Sequence, residues 1–132
     1  MVNTTGRCYF AIKTDIIGFG LENFNKYLTI SPTRFQEALS NGKTPKCTIW
    51  ELSSEELINP LYCDEIENLI SILNKHKTEF KKLKKENSDI EYVLQIVMYL
   101  GDETPALNIN QEVLKFINEI DGVIDCDIYN NK

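Results

Sequence analysis

The chain has 132 residues, 42% of them apolar and 26% charged, with only six glycines and four prolines. That composition excludes collagen-like, low-complexity and disordered classes, and the length suits one domain over 1–132 that can bury a core without disulfides or metal. Twenty acids against fourteen bases give a net charge of −6, a balance that repels nucleic acid and favours basic partners.

From the N-terminus, Arg7 to Lys13 alternates, with Cys8, Phe10 and Ile12 on one side and Tyr9 and Ala11 on the other, which predicts a strand. After a loop holding Gly18 and Gly20, the spacing of Leu21, Phe24, Tyr27 and Leu28 predicts a short helix that Ser31-Pro32 ends. Thr33 to Pro45 reads as a polar loop with a turn at Asn41-Gly42. Thr48 to Leu52 is a second strand, carrying the single tryptophan, Trp50.

Asn59-Pro60 offers a cap and a first helical position for the longest helix, whose stripe is Ile66, Leu69, Ile70 and Leu73. The pattern breaks near His76-Lys77, and Phe80 and Leu83 add a further turn or two. Ile90 to Leu100 is the clearest strand, with Tyr92, Leu94, Ile96 and Met98 facing one way and Glu91, Gln95 and Tyr99 the other. Beyond Gly101 to Pro105, a short strand is expected over Ala106 to Ile109. Asn110 then caps a helix with stripe Val113, Leu114, Ile117 and Ile120, which Asp121-Gly122 stops. In the last strand, Val123 to Tyr129, Ile124, Cys126 and Ile128 point inward while Asp125, Asp127 and Tyr129 point outward. The order β-α-β-α-β-β-α-β predicts an α+β fold, a mostly antiparallel sheet of about five strands with helices packed on one face.

Chemistry is sparse. Tyr92 to Leu100 is too short to cross a bilayer, and MVNTTGRCYF lacks the basic start and apolar core of a secretory signal, so a cytoplasmic protein with no membrane partner is expected. Cys8, Cys47, Cys63 and Cys126 are widely spaced, and with one histidine neither a metal site nor any other cofactor is expected. A nucleophilic pair would need His76, which sits among lysines as a helix-end side chain. Asp125 and Asp127, roughly 6.5–7 Å apart along one strand face, read as surface carboxylates rather than an acid/base pair. No complete catalytic constellation is legible, and the expectation is a protein that is not an enzyme. Charge is uneven: residues 75–85 hold six lysines and one glutamate, and residues 86–132 hold ten acids and two bases. The lysine run reads as a solvated helix face.

Several short segments share an order with a known family: the opening strand Cys8-Tyr9-Phe10-Ala11-Ile12, the segment Ile30-Ser31-Pro32-Thr33, Gly42, the Trp50 strand and the closing Ile124-Asp125-Cys126-Asp127-Ile128-Tyr129. On these the chain resembles the bacterial domain-of-unknown-function family 4279, from about Cys8 to Tyr129. It departs from that family in the loop from Thr14 to Leu21, which lacks an acidic, proline-containing entry to the first helix. The resemblance transfers no catalytic residue. It implies a small cytoplasmic bacterial α+β protein with an immunity-type role beside toxins.

The residues and the resemblance together favour a non-enzymatic binding protein of immunity or antitoxin type. Its outward sheet face, with Asp125, Asp127, Tyr129, Tyr99 and Glu91, would meet a basic, toxin-like partner. A homodimer through the same tyrosine-bearing face is a rival use. The alternative is a small-molecule-binding or regulatory domain with a site near Arg34 and Trp50, under the Thr33 to Lys46 loop. Arg34, one of only two arginines, would hold a carboxylate there.

Overall fold

The computed structural model of the chain describes residues 2–38 and 47–130; the expected Asn41-Gly42 turn lies outside them. Strand β1 (Thr5–Thr14) forms as its alternation demands, putting Cys8, Phe10 and Ile12 in the core with no exposed surface. It is the centre of the sheet. β3 (Thr48–Ser53) pairs antiparallel with its Tyr9 to Thr14 half, and β5 (Glu91–Leu100) runs antiparallel along its other side from Thr5 to Lys13. β2 (Arg34–Gln36) lies outside β3, and β6 (Val123–Asn130) lies outside β5, so the path is β2-β3-β1-β5-β6. A two-residue strand, β4 (Leu57–Ile58), pairs with Thr5 and Gly6 of β1.

The fold is therefore α+β and mostly antiparallel, but among the described residues it has six strands rather than five and one parallel pair, β5 with β6. β2 and β4 escape the sequence pattern because two or three residues carry no period; their partners define them. The strand expected over Ala106 to Ile109 does not form. That segment leads from β5 into α4 (Gln111–Glu119), the crossover that a parallel β5–β6 pair requires, and its Asn108 N–H donates to Cys63 Sγ at 3.2 Å instead of joining a ladder.

Among the described residues four helices accompany the sheet. α1 (Leu21–Asn25) is shorter than expected, yet Leu28 beyond it is still buried. α2 (Tyr62–Asn74) buries the expected Ile66, Leu69, Ile70 and Leu73 but starts two residues beyond Pro60. Asn59 is not its cap: it sits at φ +46 and clamps the β1 entry, its Oδ1 accepting from Thr4 N–H and its own N–H donating to Thr4 O. α3 (Lys77–Glu86) is a full helix of ten residues: Lys81, Lys82 and Lys85 stand exposed, Lys77 and Lys84 are half-buried and reach Glu119 and Asp121, and Phe80 and Leu83 are buried. α4 is capped by Asn110 as expected, its Oδ1 accepting from Val113 N–H at 3.0 Å. Its buried side is Val113, Phe116 and Ile117, whereas Leu114 is half-exposed.

Phe10, Phe80, Tyr92 and Phe116 meet where sheet and helices touch, with ring centroids 5.2–6.3 Å apart. Each such ring contributes about 1.5–3 kcal/mol by burial, plus the edge and stacking preference of aromatic pairs. Tyr92 fits because its hydroxyl donates to Phe80 O at 2.6 Å; burial pushes that hydroxyl well above its ordinary pKa. Among the described residues no helix is long and apolar enough to cross a membrane.

Candidate functional site

With every even position of β1 and β5 committed to the helices, the odd positions build the opposite face of the sheet. Register sets them in rungs across β1, β5 and β6: Tyr9, Gln95 and Asp125; then Arg7, Val97 and Asp127; then Thr5, Tyr99 and Tyr129. Asp125, Asp127, Tyr99 and Tyr129 thus come together at one end of the face. Glu91 shares the face but lies opposite Lys13, eight residues and roughly 26 Å along β5 from Tyr99.

The acidic end is ordered from below. Gln95, almost fully buried, donates from Nε2 to Asp127 Oδ2 at 3.1 Å and fixes that carboxylate. The Tyr99 and Tyr129 rings stack 5.2 Å apart and 19° from parallel while remaining 42% and 50% exposed. Such a pair is worth about 0.5–1.5 kcal/mol and presents a rigid aromatic plate to solvent. On the helix side of β6, burial and the adjoining Asp127 and Asp125 charges raise the Cys126 thiol pKa, so this sulfur is protonated rather than nucleophilic at neutral pH.

Across the sheet from the acidic residues, toward β3 and β2, the same face carries the chain's two arginines, a grouping that only the strand register reveals. Arg7 reaches over the Tyr9 ring, 4.8 Å from its centroid, and places Nη1 3.6 Å from Glu51 Oε2. Glu51, 4% exposed, sits at the same register as Arg34 on β2, so the chain's two arginines flank one buried carboxylate. Burial, and then Glu51, raise the Tyr9 hydroxyl pKa against the opposing Arg7 charge. The available signal was parity: Arg7 alternates with Cys8, and Glu51 with Trp50.

Arg34 and Trp50 do not line one site. Trp50 packs on the helix side with no exposed surface, opposite Phe35, while Arg34 is exposed on the other side of the sheet. Most of the Thr33 to Lys46 loop lies outside the described residues. Two hollows lie elsewhere. A polar groove of about 660 Å³ runs between α2 and α4 beside Glu67, Ser71, Asn110 and Lys115, and a cavity of about 340 Å³ lies at the α2 start beside Asn59, Cys63 and Glu103. His76 makes a local contact, its Nδ1 3.2 Å from both Glu79 Oε2 and Thr29 Oγ1. Among the described residues no group of three or more His, Cys, Asp or Glu side chains is placed to hold a metal ion.

Residues 3–131, nearly the whole chain, match the family described as a domain of unknown function, DUF4279. The chain belongs to the DUF4279 family. No match was found among curated proteins or among solved structures. The match spans every strand of this DUF4279 domain, including β6 and the face built on it.

Proposed function

We propose that this DUF4279 domain is a non-enzymatic, cytoplasmic protein-binding module of immunity or antitoxin type, which caps a basic partner with the acidic end of its open sheet face. One observation carries the reading: Asp125, Asp127 and the stacked, half-exposed pair Tyr99 and Tyr129 converge at one end of a sheet face that, among the described residues, no helix covers. Aromatic plates supply contact area at little rotamer cost, and paired carboxylates select a basic surface and steer its approach. The ten acids of residues 86–132, set against two bases, extend that field beyond the face itself.

The test is affinity capture from native-host lysate at low and moderate salt, with tagged chain beside the Asp125→Lys, Asp127→Lys double variant. A basic protein retained by the parent and lost by the variant is the expected result. Capture that is equal for both proteins overturns the assignment of this face. Asp125 is exposed and Asp127 half-buried, so the variant should keep the parent's circular dichroism, with a melting temperature lowered by the loss of the Gln95 hydrogen bond to Asp127.

A further inference from the structure

A sheet that is not closed has two edges, and here they differ. The β2 edge is three residues long, a length that limits pairing by itself. The β6 edge offers seven residues, Val123 to Tyr129, and among the described residues no strand pairs with their outer side. Long free edges are ordinarily blunted by lysine, proline or a bulge. β6, Val-Ile-Asp-Cys-Asp-Ile-Tyr-Asn, contains neither lysine nor proline, and its register with β5 runs unbroken from Val93↔Val123 to Leu100↔Asn130.

The edge is also apolar on both sides. Val123 is 57% exposed and Tyr129 half-exposed on the open face. Ile128 faces the helix side opposite Met98, where the sequence pattern expects burial, yet it is 58% exposed because it lies beyond the cover of the helices. A docked surface would cover one face only; a strand added beside β6 would cover both and satisfy the outer backbone groups.

Charge decides which strand. In antiparallel pairing of β6 with a second copy, a two-fold axis at Asp127 sets Asp127 against itself, and an axis at Cys126 sets Asp125 against Asp127. Like charges directly opposite destabilise such pairs, and moving the axis to either end leaves a short ladder. A strand with lysine or arginine at alternate positions meets both carboxylates in a full-length ladder. We infer that the outer edge of β6 is a strand-addition site for an extended basic segment, with basic side chains beside Asp125 and Asp127 and an apolar one beside Ile128. This inference rests on the basic-partner reading above and adds how the partner is held.

The probe is a capped synthetic peptide of about ten alternating lysine and valine residues, a typical length for a long strand. Its control has the same charge but prolines in place of two central valines. Titration into the full ¹⁵N-labelled chain, with amide exchange as readout, should show the outward amides of β6 slowing by about tenfold or more. The proline control should not protect them, and Asp125→Asn with Asp127→Asn should weaken binding about tenfold or more. No binding at millimolar peptide, equal binding of the control, or protection confined to amides outside β6 overturns the inference. A partner lost on charge reversal, with β6 amides unprotected by the peptide, removes strand addition and leaves the acidic face standing. Capture indifferent to charge reversal removes both.

Discussion

Replacing Gly6 by alanine sets two effects against each other. Alanine restricts the unfolded chain, which stabilises a compatible site by about 0.4–1 kcal/mol. At Gly6 the site is not compatible: an added Cβ would fall on the Val97 carbonyl oxygen and the Tyr62 hydroxyl. Those two atoms are already bound to each other, since Tyr62 donates to Val97 O at 2.9 Å where α2 begins over the sheet. Making room costs about 1 kcal/mol if that hydrogen bond breaks, and about 1–3 kcal/mol for the shift of packed groups. The steric side wins, for a net destabilisation of about 2–3 kcal/mol. Urea unfolding followed by Trp50 fluorescence and circular dichroism measures it. Tyr62→Phe alone should cost about 1 kcal/mol, and Gly6→Ala should still destabilise in that background, because the Val97 oxygen is backbone and cannot rotate away. A Gly6→Ala protein as stable as its parent, or full rescue by Tyr62→Phe, refutes the argument.

Phe80→Ala should lose about 3–5 kcal/mol in the same assay, since it empties the centre of the aromatic cluster and strips the contacts around Tyr92. Burial pushes the Cys8 thiol up to about 11, and the side chain has no exposed surface, so thiol reagent at pH 8 should leave it unlabelled until the protein unfolds. Partial burial acts to raise the Glu79 pKa, but hydrogen bonds from Thr29 N–H, the Thr29 hydroxyl and His76 together hold it below 4.5. Its stabilising contribution is therefore complete above the unfolded carboxyl's pKa and lost as pH falls through the lowered folded value. Acid titration followed by the Thr29 amide resonance should show this release, and Glu79→Gln should abolish the titration.

Where period and burial agree, the sequence reads directly. Strands β1 and β5, the stripe of α2 and the Asn110 cap all rest on local patterns that the folded chain keeps. Elements defined by a distant partner do not read this way. Asn59 looks like a helix cap, yet its left-handed backbone serves Thr4, fifty-five residues away in sequence. The parallel run of β6 leaves no mark on its own alternation; it follows from the α4 crossover. Of the candidate face, Asp125, Asp127, Tyr99 and Tyr129 were legible because outward parity on two strands suffices to list them. Arg7 and Glu51 required the β1–β3 register and a diagonal reach across it. Ile128 points to the helix side as its parity predicts, yet it stays exposed, because parity gives the side of a strand and not how far the opposing layer extends.

The central place of β1 bears on synthesis at the ribosome. Its nearer neighbour, β3, emerges within about fifty residues, but β5 must follow for Phe10 to meet Tyr92 and for Thr4 Oγ1 to accept from Gly101 N–H. Until Leu100 has cleared the exit tunnel, the nascent chain holds a strand whose apolar side has half its core missing. Closure over so long a separation is slow compared with local pairing. Productive folding is thereby deferred until β5 is out, and nascent chains stalled with β5 still in the tunnel should be far more sensitive to protease than those in which Asn130 has cleared it.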